Sequence, residues 1–437
     1  MAKNLAALAV LGILMAPTPV LAFQEPPIEP TVEPSPSPSP SPQAVLEPEA
    51  KRPGFLKRKI DSFLSDDETG DGRGMHWGPF KPAIESVSTG SGIGPMLHFW
   101  TPDIGGSPLD FHASAAFSMN RYQYYDAQFG LLPHVRKKLP RIERGTSALF
   151  PLADLEKTSS SPGFSIYASG RYRDYPREAY YGLGPNSVKD DRSDFRRRSG
   201  LYEGVMSYRI SRLTLMARGG LLQTSILAGT DDNFVNTEIA FTEAGAPGLT
   251  TSPDFIVTSG GAWLEFRDEP ENAHRGVSLG AAYSRFDDRN GNAFQFNRLS
   301  VDLREYVPLG GNRNVIALRQ VTSLDDPDDG SQVPFYMQSS LGRSTFLRGY
   351  NSFRFRDDKL LAFQGEYRFE IVPKVEIALL YDAAKVFGSM SEFDFQHLRT
   401  SYGAGIRLKS PKKVKLRLDV MRSVEGTRVQ IKLDPSF

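Results

Sequence analysis

The chain has 437 residues, with 52 lysines and arginines against 51 aspartates and glutamates, and no cysteine. The near-neutral balance offers no basic surface for nucleic acid, and the missing thiols exclude disulfides, cysteine nucleophiles and cysteine–metal sites. Mean hydropathy is that of a water-soluble chain, and no stretch approaches the roughly 18 unbroken apolar residues of a membrane helix.

The chain opens like a secretory signal. Lys3 supplies the positive start, Leu5 to Met15 form a short apolar core, and Val20-Leu21-Ala22 is a small-residue cleavage site, so 1–22 is set apart from the fold. Residues 23–50 follow as a spacer in which Pro34, Pro36, Pro38, Pro40 and Pro42 alternate with serines. Such a run cannot pack a core and is expected to be extended and semi-rigid. Residues 51–74 carry Phe55, Leu56, Ile60, Phe63 and Leu64 among charges, a short amphipathic helical pattern. It fits a place on the membrane surface, beneath a barrel or inside its lumen.

From 75 to 437 the pattern is one of strands. Alternation and turn residues mark windows near 92–100, 109–120, 122–131, 163–172, 201–210, 213–222, 255–267 and 276–286. Further windows fall near 294–307, 314–322, 334–341, 360–372, 374–386, 401–409, 413–422 and 427–437. That is about sixteen, mostly of the 9–11 residues that a tilted membrane strand needs. Aromatics make up 11% of the chain, and many stand near strand ends as interface girdles do. In the last window Val429, Ile431 and Leu433 share a parity, and Phe437 closes the chain. The expected fold is all-β: a transmembrane antiparallel barrel of about sixteen strands, with a long loop folded inward before the fifth-last strand.

Parity assigns faces in the best-defined strands. Leu361, Phe363, Gly365, Tyr367, Phe369 and Ile371 share one side and Gln364, Glu366, Arg368 and Glu370 the other. In the next strand Val375, Ile377, Leu379 and Tyr381 face lipid, and Glu376 and Asp382 face inward. Glu366 and Asp382 therefore point into the lumen from neighbouring strands. Arg348, in the segment Phe346-Leu347-Arg348-Gly349-Tyr350, lies on a long loop able to reach Glu366, Asp382 or both. A guanidinium has the planar fork that carboxylates accept, and Gly349 lets the loop pack close to the wall. The plainer alternative is a solvated loop arginine.

The combination of a Leu-Arg-Gly-Tyr loop, a Gly-Glu-Tyr-Arg strand, a Tyr-Asp-Ala-x-x-Val strand and a terminal Phe resembles the bacterial surface antigen family. This is the BamA/TamA-like outer-membrane assembly superfamily, which includes two-partner-secretion transporters. The resemblance implies a sixteen-strand barrel whose loop arginine meets acidic groups on the inner wall. Arg348, Gly349 and Tyr350 match the loop motif, and Glu366 and Asp382 match the wall positions. Glu265-Phe266-Arg267-Asp268 with Arg275-Gly276 is similar to the family's strand–turn–strand pattern, and Tyr180-Tyr181-Gly182-Leu183-Gly184 to a segment of members without periplasmic repeats. Two departures stand out. No polypeptide-transport-associated repeat fits between 23 and about 75, and Pro435 stands third from the end, where it removes a ladder donor.

Catalytic and metal patterns are lacking. The six histidines show no metal spacing, and neither H-E-x-x-H nor G-x-S-x-G occurs. Gly90, Gly92 and Gly94 read as a strand start rather than a phosphate loop. The acidic runs at Asp66, Asp67, Glu68 and Asp71 and at Asp325, Asp326, Asp328 and Asp329 read as solvated turns. No convincing Ser/His pair supports a lipid hydrolase. The expectation is a non-catalytic outer-membrane barrel without cofactor, acting in protein or lipid translocation or insertion. A passive or gated porin-like channel is the alternative. The resemblance implies outer-membrane lipid and lipopolysaccharide as surroundings, the barrel assembly machinery as a partner in biogenesis, and a secreted or lipidic client.

Overall fold

The computed structural model describes residues 78–88, 91–133, 152–159, 163–342, 346–410, 413–432 and 437. The expected leader (1–22), spacer (23–50) and amphipathic segment (51–74), together with Leu433 and Pro435, lie outside the described residues.

Alternating sequence builds the wall. Its strands are β1 (Phe80–Ser86), β2 (Ile93–Thr101), β3 (Asp110–Phe117), β4 (Gln123–Leu131), β5 (Gly163–Tyr180), β6 (Ser193–Ile210) and β7 (Leu213–Ala228). They continue, after the short β8 (Val235–Asn236), as β9 (Phe255–Glu265), β10 (Gly276–Asp288), β11 (Phe296–Pro308) and β12 (Asn314–Pro327). After two further short pieces, β13 (Ser339–Leu341) and β14 (Phe355–Asp357), come β15 (Lys359–Val372), β16 (Val375–Phe387), β17 (Arg399–Lys409), β18 (Val414–Ser423) and β19 (Gly426–Lys432). Leaving aside the three short pieces, each wall strand pairs antiparallel with the next in chain order from β1 to β19. The protein is a transmembrane antiparallel β-barrel.

The wall has two chemically opposite faces. Tyr202, Met206, Tyr208, Tyr283, Leu379, Tyr381, Tyr402, Ile406, Val429 and Ile431 are exposed on the outside. Between them Arg298, Ser300, Asp302 and Arg304 of β11, and Gln364, Glu366 and Arg368 of β15, are buried on the inside. Each large outward side chain favours an apolar surrounding by about 1.5–3 kcal/mol, so this face is matched to acyl chains.

Connections alternate between the two ends. One end carries tight turns such as 211–212 and 373–374, and the other carries the longest described loops, 229–254 and 328–358. Barrels of this kind keep short turns on the periplasmic side and long loops outside, which orients the molecule. One connection breaks the pattern: residues 132–162, on the short-turn end, contain a helix, α1 (Leu152–Thr158).

Two expectations need correction. The window 334–341 is not wall, because every residue from Val333 to Gly342 is buried and pairing is confined to β13 with β14. An apolar run surrounded on all sides cannot be told from a wall strand by periodicity. The wall strand passed over is β1, whose Pro82 argues against a strand but is tolerated in a strand whose described partner, β2, lies on one side. The described part of β19 runs to Lys432, and Phe437 is described beyond it. Its ring is buried beside Tyr306 and Ala317 of the inner wall, and Tyr306 Oη donates to the Phe437 carbonyl at 2.6 Å.

Candidate functional site: a loop and a helix seated in the lumen

The loop between β12 and β15 turns into the barrel, and apolar residues set its depth. Phe346, Leu347 and Tyr350 are buried with Val321, Leu360, Ala362, Ala384 and Val386 of the wall. This cluster brings Arg348 to the carboxylates of β15 and β16. Arg348 Nη1 donates to Glu366 Oε1 at 2.6 Å. Its Nε and Nη2 reach Asp382 Oδ1 at 3.0 and 2.5 Å, and its backbone amide donates to Asp382 Oδ2 at 2.9 Å. Both carboxylates are buried, as is the guanidinium.

The two acids are not equivalent. Glu366 also receives Arg368 Nε and Arg407 Nη2, each at 2.9 Å. For Asp382 the described donors besides Arg348 are the Ser401 hydroxyl at 3.2 Å and the Gln364 amide at 3.5 Å. Asp382 thus depends on the loop for its countercharge, whereas Glu366 has wall arginines of its own.

The backbone of the tip is held by the last strands. Gly349 N donates to Ser401 Oγ at 3.2 Å, Ser423 Oγ donates to Gly349 O at 2.9 Å, and Gln430 Nε2 donates to Arg348 O at 2.9 Å. These are residues of β17, β18 and β19. Gly349 is required by proximity: a Cβ there would lie 2.5 Å from Ser401 Cβ and 3.2 Å from the Arg422 backbone. Replacing it with valine is expected to unseat the tip and lower the midpoint of the heat-induced shift of the folded band on electrophoresis by several degrees, since overpacking of a tight site costs about 1–3 kcal/mol. Tyr350, third in the motif, packs at 5.5 Å against Phe355.

The exit of the loop is anchored separately. Arg354 bonds Glu425 Oε1 at 2.8 Å and Ser187 through Oγ and O at 2.9 and 2.8 Å. Gly184 N donates to Arg356 O at 2.7 Å. The Tyr180–Gly184 motif therefore bears on this loop, with Tyr180 packed on Phe335 and Tyr181 beneath Arg354. Burial pushes the carboxyl of Asp357 up to about 6 and raises that of its neighbour Asp358.

A second element enters from the opposite end. Helix α1 lays Leu152 and Leu155 against Val205, Met216, Trp263 and Ala282 of the inner wall. Its Asp154 meets Arg218 at 2.8 Å, and its Glu156 meets Arg304 at 2.5 Å and Arg267 at 3.2 Å. Each of these arginines also holds a carboxylate of the wall: Arg218 with Glu203, Arg304 with Asp302, Arg267 with Glu265. Sequence reasoning singled out Arg267 and Glu265 through their motif and passed over Asp154, Glu156, Arg218 and Arg304. In the same turn Asp268 Oδ1 accepts from the amides of Glu269, His274 and Arg275. Gly276 there has φ +104°, and a Cβ would strike Phe266 O at 2.2 Å.

One Ser/His arrangement does emerge. His98, Ser114 and Asp126 stand in register across β2, β3 and β4, with His112 beside them. Ser114 Oγ lies 3.0 Å from His98 Nδ1 and 3.3 Å from His112 Nε2, and His112 Nδ1 lies 3.4 Å from Asp126 Oδ2. Ser114 sits mid-strand between two paired neighbours, so the amides around it serve the ladder rather than a developing oxyanion.

The wall, the inward loop and its arginine define a class: a transmembrane barrel with a loop ion-paired to its inner face. Residues 155–426 match the model of the Omp85 superfamily domain. The chain belongs to the Omp85 superfamily, as an outer-membrane β-barrel. Its fold is similar to the crystal structure of BamA from Haemophilus ducreyi lacking POTRA domains 1–3, with TM-score 0.55 and 14% identity over 80% of this chain and 67% of that one. It is also similar to CdiB from Escherichia coli, with TM-score 0.47 and 13% identity over 82% of this chain and 63% of that one. The chain thus spans about two thirds of the length of these structures. No curated protein matches.

Proposed function

We propose that this barrel acts without catalysis in the translocation or insertion of a protein or lipid client at the outer membrane, after export by its leader. The observation that carries this reading is the seating of the Arg348 loop. Its side chain bonds to β15 and β16, and its backbone bonds to β17, β18 and β19. A loop tied to five consecutive strands, the last among them, is coupled to any movement of that part of the wall. Membership of the Omp85 superfamily and a fold similar to that of BamA support the same reading.

A photo-crosslinking residue at position 350 or 430 provides the test in whole cells. A discrete protein or glycolipid adduct, seen at both positions and missing at an outward control such as Tyr381, is the expected result. Adducts to nothing but the barrel itself would count against a client at this site. Steady open single-channel conductance of the wild type would favour the porin-like reading instead.

A further inference from the structure

The outer surface of β5 and β6 carries a charged group immediately beyond its apolar band. Phe164 and Ile166 of β5 and Met206, Tyr208 and Ile210 of β6 are exposed near the short-turn end. Tyr172 and Tyr202 stand toward the other end, where Tyr172 continues an aromatic belt through Tyr125 at 6.1 Å to Phe117 at 5.5 Å. At roughly 3.3 Å per residue, the stretch from Phe164 to Tyr172 covers roughly 26 Å of strand, which at a tilt of about 40° rises roughly 20 Å and brings the residue two places further on to the edge of an apolar band about 25 Å tall. The next outward positions are Asp174 on β5 and Arg198, its direct cross-strand partner, on β6, followed by Arg196. They therefore lie at the headgroup level of the outer leaflet.

Asp174 is saturated. Arg196 Nε and Nη2 bond its two oxygens at 2.7 and 2.5 Å, and Arg198 Nε adds a bond at 3.1 Å. Two guanidinium charges share one carboxylate, so the group is left with net positive charge. The side chain of Arg198 is 42% exposed, and among the described residues its Nη groups donate to nothing. Arg177, also exposed, stands nearby on the same strand as Asp174.

We propose that Arg196 and Arg198 hold the phosphate of an outer-leaflet glycolipid, with the acyl chains lying on the Phe164–Tyr172 and Tyr202–Ile210 surface. The guanidinium fork suits phosphate oxygens, and a partly dry interface strengthens the contact. Asp174 orients the two arginines and competes with the ligand for them. This site is independent of the Arg348 loop.

The test uses the full barrel in detergent, titrated with lipid A and with dephosphorylated lipid A, with bound lipid counted by native mass spectrometry. Wild type is expected to prefer the phosphorylated form by about tenfold or more. Arg196→Gln with Arg198→Gln should abolish that preference, and Asp174→Asn should widen it. A merely structural ion pair would give neither change, and Arg198→Gln alone leaves Asp174 paired with Arg196, so folding is preserved in at least one variant. Equal binding of the two lipids by wild type, or an unaltered preference in the double variant, would overturn the proposal. Displacement of lipid A by excess inorganic phosphate would reassign the site to small anions and remove the lipid from it.

Discussion

Arg348→Ala is expected to be among the most destabilising substitutions in this barrel. Loss of the guanidinium leaves Asp382 buried with the backbone amide of position 348, a serine hydroxyl and a distant side-chain amide in place of a countercharge. Removing one member of a buried pair typically costs about 3–5 kcal/mol, because the other charge is left unpaired in a poorly polarisable site. Arg348→Glu should be worse, since it adds a third carboxylate. The readout is the temperature at which the folded, fast-migrating band converts to the unfolded one. Asp382→Asn placed on Arg348→Ala should restore much of the loss, whereas Glu366→Gln should restore little, because Glu366 keeps Arg368 and Arg407. Equal rescue by both, or a wild-type conversion temperature in Arg348→Ala, would refute the proposed dependence of Asp382 on the loop.

Helix α1 should behave in the opposite way. Asp154→Asn with Glu156→Gln, or Leu155→Asp alone, is expected to free the helix from the wall and raise single-channel conductance several-fold. The conversion temperature should move much less than in Arg348→Ala. The reason lies in the bookkeeping of charge: Arg218, Arg267 and Arg304 each retain a carboxylate when the helix leaves, so no buried ion is orphaned. Its two acids pass into water, where they are readily solvated. Unchanged conductance in both variants would show that α1 does not obstruct the lumen.

The sequence made the inward carboxylates legible because a strand has a side-chain period of two, and the family resemblance brought Arg348 to them. Once Tyr367 and Phe369 are assigned to lipid, Glu366 must face inward, and the same holds for Asp382 opposite Tyr381. The same parity would have put Ser401, Arg407 and Gln430 on the inner wall. Other parts gave no such signal. Helix α1 is two turns long, with Leu152 and Leu155 as its apolar pair, too short for a helical period to stand out. The stretch Val333–Leu341 is buried at every position, apolar from Val333 to Met337 and polar at Gln338, Ser339 and Ser340, and enclosure erases the alternation that marks a wall strand. Strand β1 was hidden by Pro82, whose cost is small in an edge strand of the described ladder. Phe437 was placed by analogy with strand-closing aromatics, and its actual contact with Tyr306 is a tertiary one that no local pattern records.

Every described wall group that hydrogen-bonds Arg348 or Gly349 lies later in the chain than the tip: Glu366, Asp382, Ser401, Ser423 and Gln430. A polypeptide whose tail has not yet joined the cylinder offers Arg348 an incomplete socket, lacking first the hydrogen bond from Gln430. The bolt can be thrown home only after the final segment is in register, so its seating reports that construction is finished.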